Sequence, residues 1–519
     1  MMKYRPAMLR TFRHTLLLCA VLLTAACSKE KTPAPRLELS ATEVVLRGGS
    51  GSEAAVTVTA NGAWELTVTG SGFDITPVSG SRGETVVTLT ATQENTQRTR
   101  RTLGSVAFRP TAGKGSAAAR TLEVCQSPAT APRTMLLYMP GRSLLSFYNN
   151  NIYGIRRAVS AQVPGDGRIL VCYQPEGHQT AVLQEVRYDF ASEDGSVVET
   201  LKEYASFTAS APQSLAEMFA DVAEYAPAEE YGLIVGCHGK AWVPTIAGSL
   251  YASGMQLGTQ PGGAAVSDNL WQPLPDAKPT RSFGDTGYEI DIADFAAVIE
   301  ALPYRFDYLI FDACFMANIE TLYDLRGGFD YIVASPCEIM AAGFPYDRAV
   351  PYLFTGERIG DRLTQVCRAF WDFYQNDWQS VPNNEQSGCI SLCVTAALDG
   401  RDGQPGLDDV TRQLYAAARQ TFDLNTLQSY EGLATHLFYD LGHYVSLSCV
   451  DAALLDEFRM RFDEAFPAES RLNTPSFYSA YNGRLNPITS YSGVSTSKPA
   501  QRLQEYYEQT AWDQATNTR

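Results

Sequence analysis

From residue 134 onward the chain repeats one rhythm, a short unbroken apolar run followed by a stretch with helical periodicity. "TMLLYMP", "RILVCYQ", "YGLIVGCHG", "YLIFDAC" and "DYIVASP" are apolar runs, and "SLAEMFADVAEYA" and "DIADFAAVIEAL" are amphipathic stretches between them. Apolar runs without polar alternation need cover on both faces. The rhythm therefore constrains this region to an α/β fold, with a mainly parallel sheet flanked by helices. "TAVLQEVRYDF" alternates and predicts a strand with one wetter face. Further helices are expected in "RLTQVCRAFWDFYQ" and "LATHLFYDLGHYV", and a further strand in "GCISLCVT", with Cys389 and Cys393 on one core-facing side.

Residues 37–127 have another character. "LELSATEVVLRGG", "EAAVTVTANGAWELTVTG", "FDITPVSGSRGETVVTLTAT" and "GSVAFRPTAG" are short alternating Val- and Thr-rich segments. Gly, Ser, Asn and Pro separate them at roughly 8–12-residue spacing, which predicts a small all-β, immunoglobulin-like sandwich. "NGAWEL", with Trp64, and "PVSGSRGETVVTLTAT" resemble the β-sandwich domain called BACON. That resemblance implies a surface or periplasmic spacer, with glycan contact by Trp64 as the competing role. A lone Trp in a small sandwich is more commonly core. "QSPATAPR" leads into a linker at 128–133, and the α/β domain is expected to run from 134 to 519.

The N-terminus, residues 1–27, has the layout of an export signal. Lys3, Arg5, Arg10 and Arg13 precede the short apolar run "TLLLCAVLLTAAC". Its ending, "LLTAAC", resembles a bacterial lipobox, with Leu23 one place earlier than the commonest pattern. The resemblance implies acylation of Cys27 and an outer-membrane lipoprotein, on the periplasmic face or the cell surface. No other segment holds about 18 consecutive apolar residues, so the expected membrane partnership is an anchor and not a span. A net charge of −16 and a pI near 4.9 argue against nucleic acid as a partner. Of eleven cysteines, loss of Cys19 and acylation of Cys27 leave nine. An odd, scattered set is no disulfide framework, and at least one thiol stays free.

Histidine is scarce: His14, His178, His238, His436 and His443. Only His238 ends a strongly apolar run, "LIVGCHG", and Cys314 ends another, "YLIFDAC". The carboxyl ends of strands are where an open parallel sheet binds ligands. An imidazole there can take a thiol proton, and Gly239 allows close backbone approach. The Gly239 and Cys314 amides are candidate oxyanion donors. His436 and His443 fall seven apart on one predicted helix and read as core or surface. No G-x-S-x-G, H-E-x-x-H or G-x-x-x-x-G-K-[ST] motif occurs.

"CHGKAW" (Cys237 to Trp242) and "FDACFM" (Phe311 to Met316) resemble, in order and context, the His-Gly and Asp-Ala-Cys motifs of clostripain-like C11 cysteine peptidases. The resemblance covers residues 133 to the C-terminus and implies a caspase-like sheet. It implies Cys314 as nucleophile, His238 as general base and acid, and an endopeptidase acting on proteins or peptides. By the same resemblance Asp312 lines a pocket for an Arg or Lys side chain, with Glu338 or Asp347 as the second acid. A carboxylate capping the next helix is the structural alternative for Asp312. No cofactor is required by the sequence. Calcium enters only through the family, and "LDGRDGQPGLDD" is a weak candidate for it. Lys240, Arg281 and Arg326 are candidate self-cleavage points. "GRSLLSFYNNN" departs from the family's Asp-Asn-Asn-Leu-like run, and Phe315 replaces a Leu. Two other readings stay open: a non-catalytic envelope-binding protein on this scaffold, and the same peptidase with a non-basic preference.

Overall fold

The computed structural model describes residues 34–111, 118–175, 179–189, 192, 194–245, 278, 289–378, 385–400, 403–417, 421–433, 435–500 and 502–517. The export segment, Cys27, His178 and Arg281 lie outside the described residues.

The N-terminal segments form two facing sheets. One has four strands, in the order Leu37–Leu39, Glu53–Ala60, Gly83–Ala91, Phe73–Thr76. The other has five, in the order Glu43–Leu46, Arg120–Gln126, Arg101–Pro110, Trp64–Gly70, Ser79–Gly80. Alternation sends Val56, Val58, Val87, Leu89, Val106 and Phe108 inward, while the threonines between them face outward. Trp64 is 1% exposed and packs 5.7 Å from the Phe108 ring. Its indole lies against Gly80, where an added Cβ would come within 2.5 Å of the ring. The glycan-stacking role considered for Trp64 is therefore corrected: the ring is core and has no face to offer a sugar.

Nine strands make the large sheet, numbered here from its start: β1 (Ala131–Met139), β2 (Arg168–Tyr173), β3 (Ala181–Tyr188), β4 (Ser196–Tyr204), β5 (Ala228–Gly236), β6 (Tyr308–Asp312), β7 (Tyr331–Ala334), β8 (Cys389–Val394) and β9 (Leu472–Asn473). Their order across the sheet is β4-β3-β2-β1-β5-β6-β7-β8-β9. The central five, β2-β1-β5-β6-β7, are parallel, and two antiparallel strands are added at each edge. The parallel core carries the unbroken apolar runs, the β3–β4 edge carries strands with one wetter face, and β8 on the other edge is buried on both faces. β1 begins at Ala131, so the linker is shorter than 128–133: only four residues separate Gln126 from the next strand.

One face of the sheet is covered by α1 (Leu145–Ser160), α2 (Tyr346–Phe354) and α3 (Ile359–Asp372), through Tyr148, Ile155, Val350, Leu363, Val366 and Phe370. The opposite face packs against helices Pro212–Tyr225, Ile292–Glu300, Ile319–Leu325 and Ala452–Ala465. One expectation fails. "LATHLFYDLGHYV" is not one helix: helix starts only at Leu441, and Tyr439–Asp440 pair instead with Ser495–Thr496. Asp440 decides this, because its carboxylate caps the helix at the His443 amide (2.7 Å) while also receiving the Tyr430 hydroxyl and the Ser492 amide. No helix among the described residues is long and apolar enough to cross a membrane.

Candidate active site

The chain leaves β1 toward β2 on one side and later adds β5 on the other, so the topology reverses between β1 and β5. A crevice opens at the carboxyl ends of strands beside such a switch point. Here those ends belong to β1, β5, β6 and β7 in a row. β5 and β6 pair in register, Gly236 opposite Asp312. His238 and Cys314 therefore each stand two residues past a matched pair. Side chains alternate along both strands, so Ile310, Asp312 and Cys314 share the α1–α2 face, and Phe311 and Ala313 share the other.

Gly239 is held against the Cys314 backbone. A Cβ built there would lie 3.1 Å from the Cys314 nitrogen and 2.3 Å from its carbonyl oxygen. Only glycine permits so close an approach of the two backbones. Beyond Cys314 the chain turns through Phe315 with φ +65°, a left-handed value that costs a bulky residue energy. The turn is held by Phe315 N–H donating to the Cys337 carbonyl (3.1 Å) and Ala317 N–H to Ser335 (2.9 Å), and the Phe315 ring stacks on Phe438. The same 335–339 segment reaches the sulfur: the Ile339 N–H donates to Cys314 Sγ at 3.0 Å. Cys314 is fully buried and His238 half-buried.

Asp312 is buried as the last residue of β6 and accepts the Tyr346 hydroxyl at 2.8 Å. It does not cap the following helix; that helix starts at Ile319, and Asn318 caps it at the Thr321 amide. The two second-acid candidates separate clearly. Glu338 is buried, accepts the Ala480 N–H at 3.0 Å and directly precedes the residue whose amide touches Cys314. Asp347 forms a partly exposed ion pair with Arg157 of α1, 2.9 Å.

Two contributors escaped sequence reasoning. Ser143 Oγ lies 2.8 Å from His238 Nε2, at the end of β1, and the Ile339 amide comes from the end of β7. Ser143 was within reach of the strand-end rule that selected His238, since it closely follows the "TMLLYMP" run. A backbone amide has no signature in sequence. The two remaining described histidines have other work. His436 sits 3.4 Å from the Glu431 carboxylate, whose hydrogen bond raises its pKa, and His443 Nδ1 accepts the Gln428 amide. Lys240 is buried in an ion pair with Glu289 (2.7 Å), and Arg326 is tied to Asp399 and stacked on Tyr323, so neither is presented for cleavage. In the calcium candidate Asp399 is occupied by Arg326, and no cluster of three metal-ligating side chains occurs among the described residues. A cavity of about 100 Å³ is lined by His238 and Gly239 together with Tyr138, Val235, Phe311 and the Lys240–Glu289 pair.

Comparison with known proteins agrees with this geometry. The clostripain family model, Peptidase_C11, matches residues 281–467, which include Asp312, Cys314 and Glu338. The secreted C11 cysteine protease "iotapain" of Bacteroides thetaiotaomicron is 27% identical, over 75% of this chain and 99% of its own, with a TM-score of 0.62. An inactive zymogen C11 protease of Parabacteroides distasonis is 24% identical over the same shares, TM-score 0.59, and supports the fold. A secreted Bacteroides thetaiotaomicron C11 protease, solved with an irreversible peptide inhibitor, is 20% identical over the same shares, TM-score 0.59, and again supports the fold. No curated protein matches. The chain belongs to the clostripain (C11) family and is a cysteine endopeptidase.

Proposed function

We propose that Cys314 and His238 form the catalytic dyad and that the enzyme cleaves after Arg or Lys. The observation that carries the dyad is the β5–β6 register, with Gly239 packed on the Cys314 backbone. His238 takes the thiol proton as Cys314 Sγ attacks the scissile carbonyl carbon. The oxyanion forms at the Gly239 and Cys314 amides, each worth about 3 kcal/mol of barrier. Collapse expels the amine, which takes its proton from His238, and leaves a thioester. A water deprotonated by His238 then releases the acid and the free thiol. The Ile339 N–H, 3.0 Å from Cys314 Sγ, fixes the position of the sulfur.

Asp312 supports the basic preference, since it lies two residues before the nucleophile on the same face, and a carboxylate fork matches guanidinium geometry. Glu338 is the better-placed second acid, for the contacts given above. The sandwich serves as a spacer between the enzyme and an acyl anchor at Cys27, placing the protein at the cell envelope. The deciding experiment is hydrolysis of fluorogenic peptides varied at the residue before the cut, by wild type and Cys314→Ala, before and after limited proteolysis. Turnover restricted to Arg and Lys and lost in Cys314→Ala is expected. Turnover on other residues discards the basic pocket. A wild type inactive under every condition overturns the dyad.

A further inference from the structure

We infer that Ser143 is a positioning residue for the catalytic imidazole. Its hydroxyl accepts the proton on His238 Nε2, which leaves Nδ1 as the ring nitrogen that exchanges a proton with Cys314. This rests on the dyad reading above. The 2.8 Å contact joins the ends of β1 and β5, the two strands that flank the topological switch point. A neutral imidazole carries one proton, on one nitrogen. If it is to act as a base toward a thiol, the nitrogen facing the thiol must be bare and the other must be protonated. With Nε2 engaged by Ser143, only Nδ1 remains for that role.

The hydroxyl is held by a rigid start to α1. Gly141 turns the chain with φ +83°, the Leu145 N–H donates to the Arg142 carbonyl (3.0 Å), and Leu144 is buried. The Ser143 side chain itself is exposed, so its role is not packing. The ionisable groups around the ring are Cys314 and Asp312 at the end of β6, Arg142 beside Ser143, and Cys237, Lys240 and Glu289 around its own loop. Ser143 is uncharged, so its removal leaves that charge set intact and takes away one acceptor. An acceptor on Nε2–H favours imidazolium over imidazole, so its loss lowers the basicity of His238.

The test compares wild type, Ser143→Ala, Ser143→Thr, Cys314→Ala and His238→Ala in one peptide-hydrolysis assay across pH, with thermal melting to confirm folding. Expected for Ser143→Ala is an approximately tenfold fall in kcat/KM, with KM within about twofold and the acid limb, which reports protonation of the base, moved down by about one pH unit. Ser143→Thr restores both. Wild-type rate and limbs in Ser143→Ala, with Cys314→Ala and His238→Ala inactive, overturn the Ser143 role alone. A slower Ser143→Ala whose pH limbs have not moved also overturns it, as the effect is then structural. Activity retained in Cys314→Ala or His238→Ala overturns the dyad itself.

Discussion

The sandwich and the α/β domain bury different kinds of polar group. Among the described residues the sandwich buries only the neutral amides Asn95 and Gln126, each spent on backbone carbonyls of neighbouring loops. The α/β domain buries Asp312, Glu320, Glu338, Glu431, Asp440 and Asp513. A buried carboxylate is costly unless hydrogen-bonded or paired. The sandwich, antiparallel except where Glu43–Leu46 lies beside Arg120–Gln126, closes most of its strand ends into turns and needs no such groups. The parallel sheet sends its strand ends to one edge, where loops from distant parts of the chain converge and buried acids hold them in place. Electrostatic sensitivity should therefore reside in the α/β domain, and four measurements can break or sharpen that contrast.

The largest effect is expected from Trp64→Ala, which should cost roughly 3–5 kcal/mol of sandwich stability by leaving a cavity beside Phe108 and Gly80. Calorimetry should show that loss with kcat/KM within about twofold of wild type. A large fall in activity would mean that the two regions are energetically one.

Second is Glu320, which receives the Thr496 hydroxyl and the Ser497 N–H and so fastens the C-terminal strand to the helix after Cys314. Burial pushes its carboxyl from an ordinary 4.5 up to about 7, against those hydrogen bonds. The folded pKa is raised, so its contribution is fully present below pH 4.5 and lost as pH rises through 7, on the order of 3 kcal/mol. Melting curves across that window should fall less steeply for Glu320→Gln; equal slopes would remove Glu320 as the source.

Third, Gly239→Ala should lower kcat by roughly a hundredfold, the size of losing one oxyanion donor, because the added methyl meets the Cys314 backbone. Unchanged kcat would discard this glycine as part of the site.

The smallest effect concerns the seam between the regions. Arg47 of the sandwich bridges Glu185 of β3 (2.6 Å), which is buried and also paired with Arg168, and Glu199 of β4 (2.5 Å), with Arg47 and Glu199 partly in solvent. Arg47→Gln should cost under about 1 kcal/mol and lose that effect in high salt. A salt-independent cost would show a tighter interface than these pairs imply.

Legibility followed the range of the interaction. Strand ends holding His238 and Cys314 were readable because apolar runs and their boundaries are local. The helix expected over "LATHLFYDLGHYV" was misplaced because Asp440 answers to Tyr430 and Ser492, one of them 52 positions away. Asp312 was readable as the residue that ends an apolar run but not as the partner of Tyr346, which arrives from α2.

The sequence by itself determined the two-part architecture, the family motifs and the strand ends that carry His238 and Cys314, since periodicity, turn residues and short motifs are encoded within tens of residues. Only the tertiary structure decided that β5 and β6 pair in a register that matches His238 to Cys314, that Ser143 meets the imidazole, and that the Ile339 amide reaches the sulfur. Those contacts depend on strand order and on backbone groups common to every residue, so a sequence read locally does not contain them.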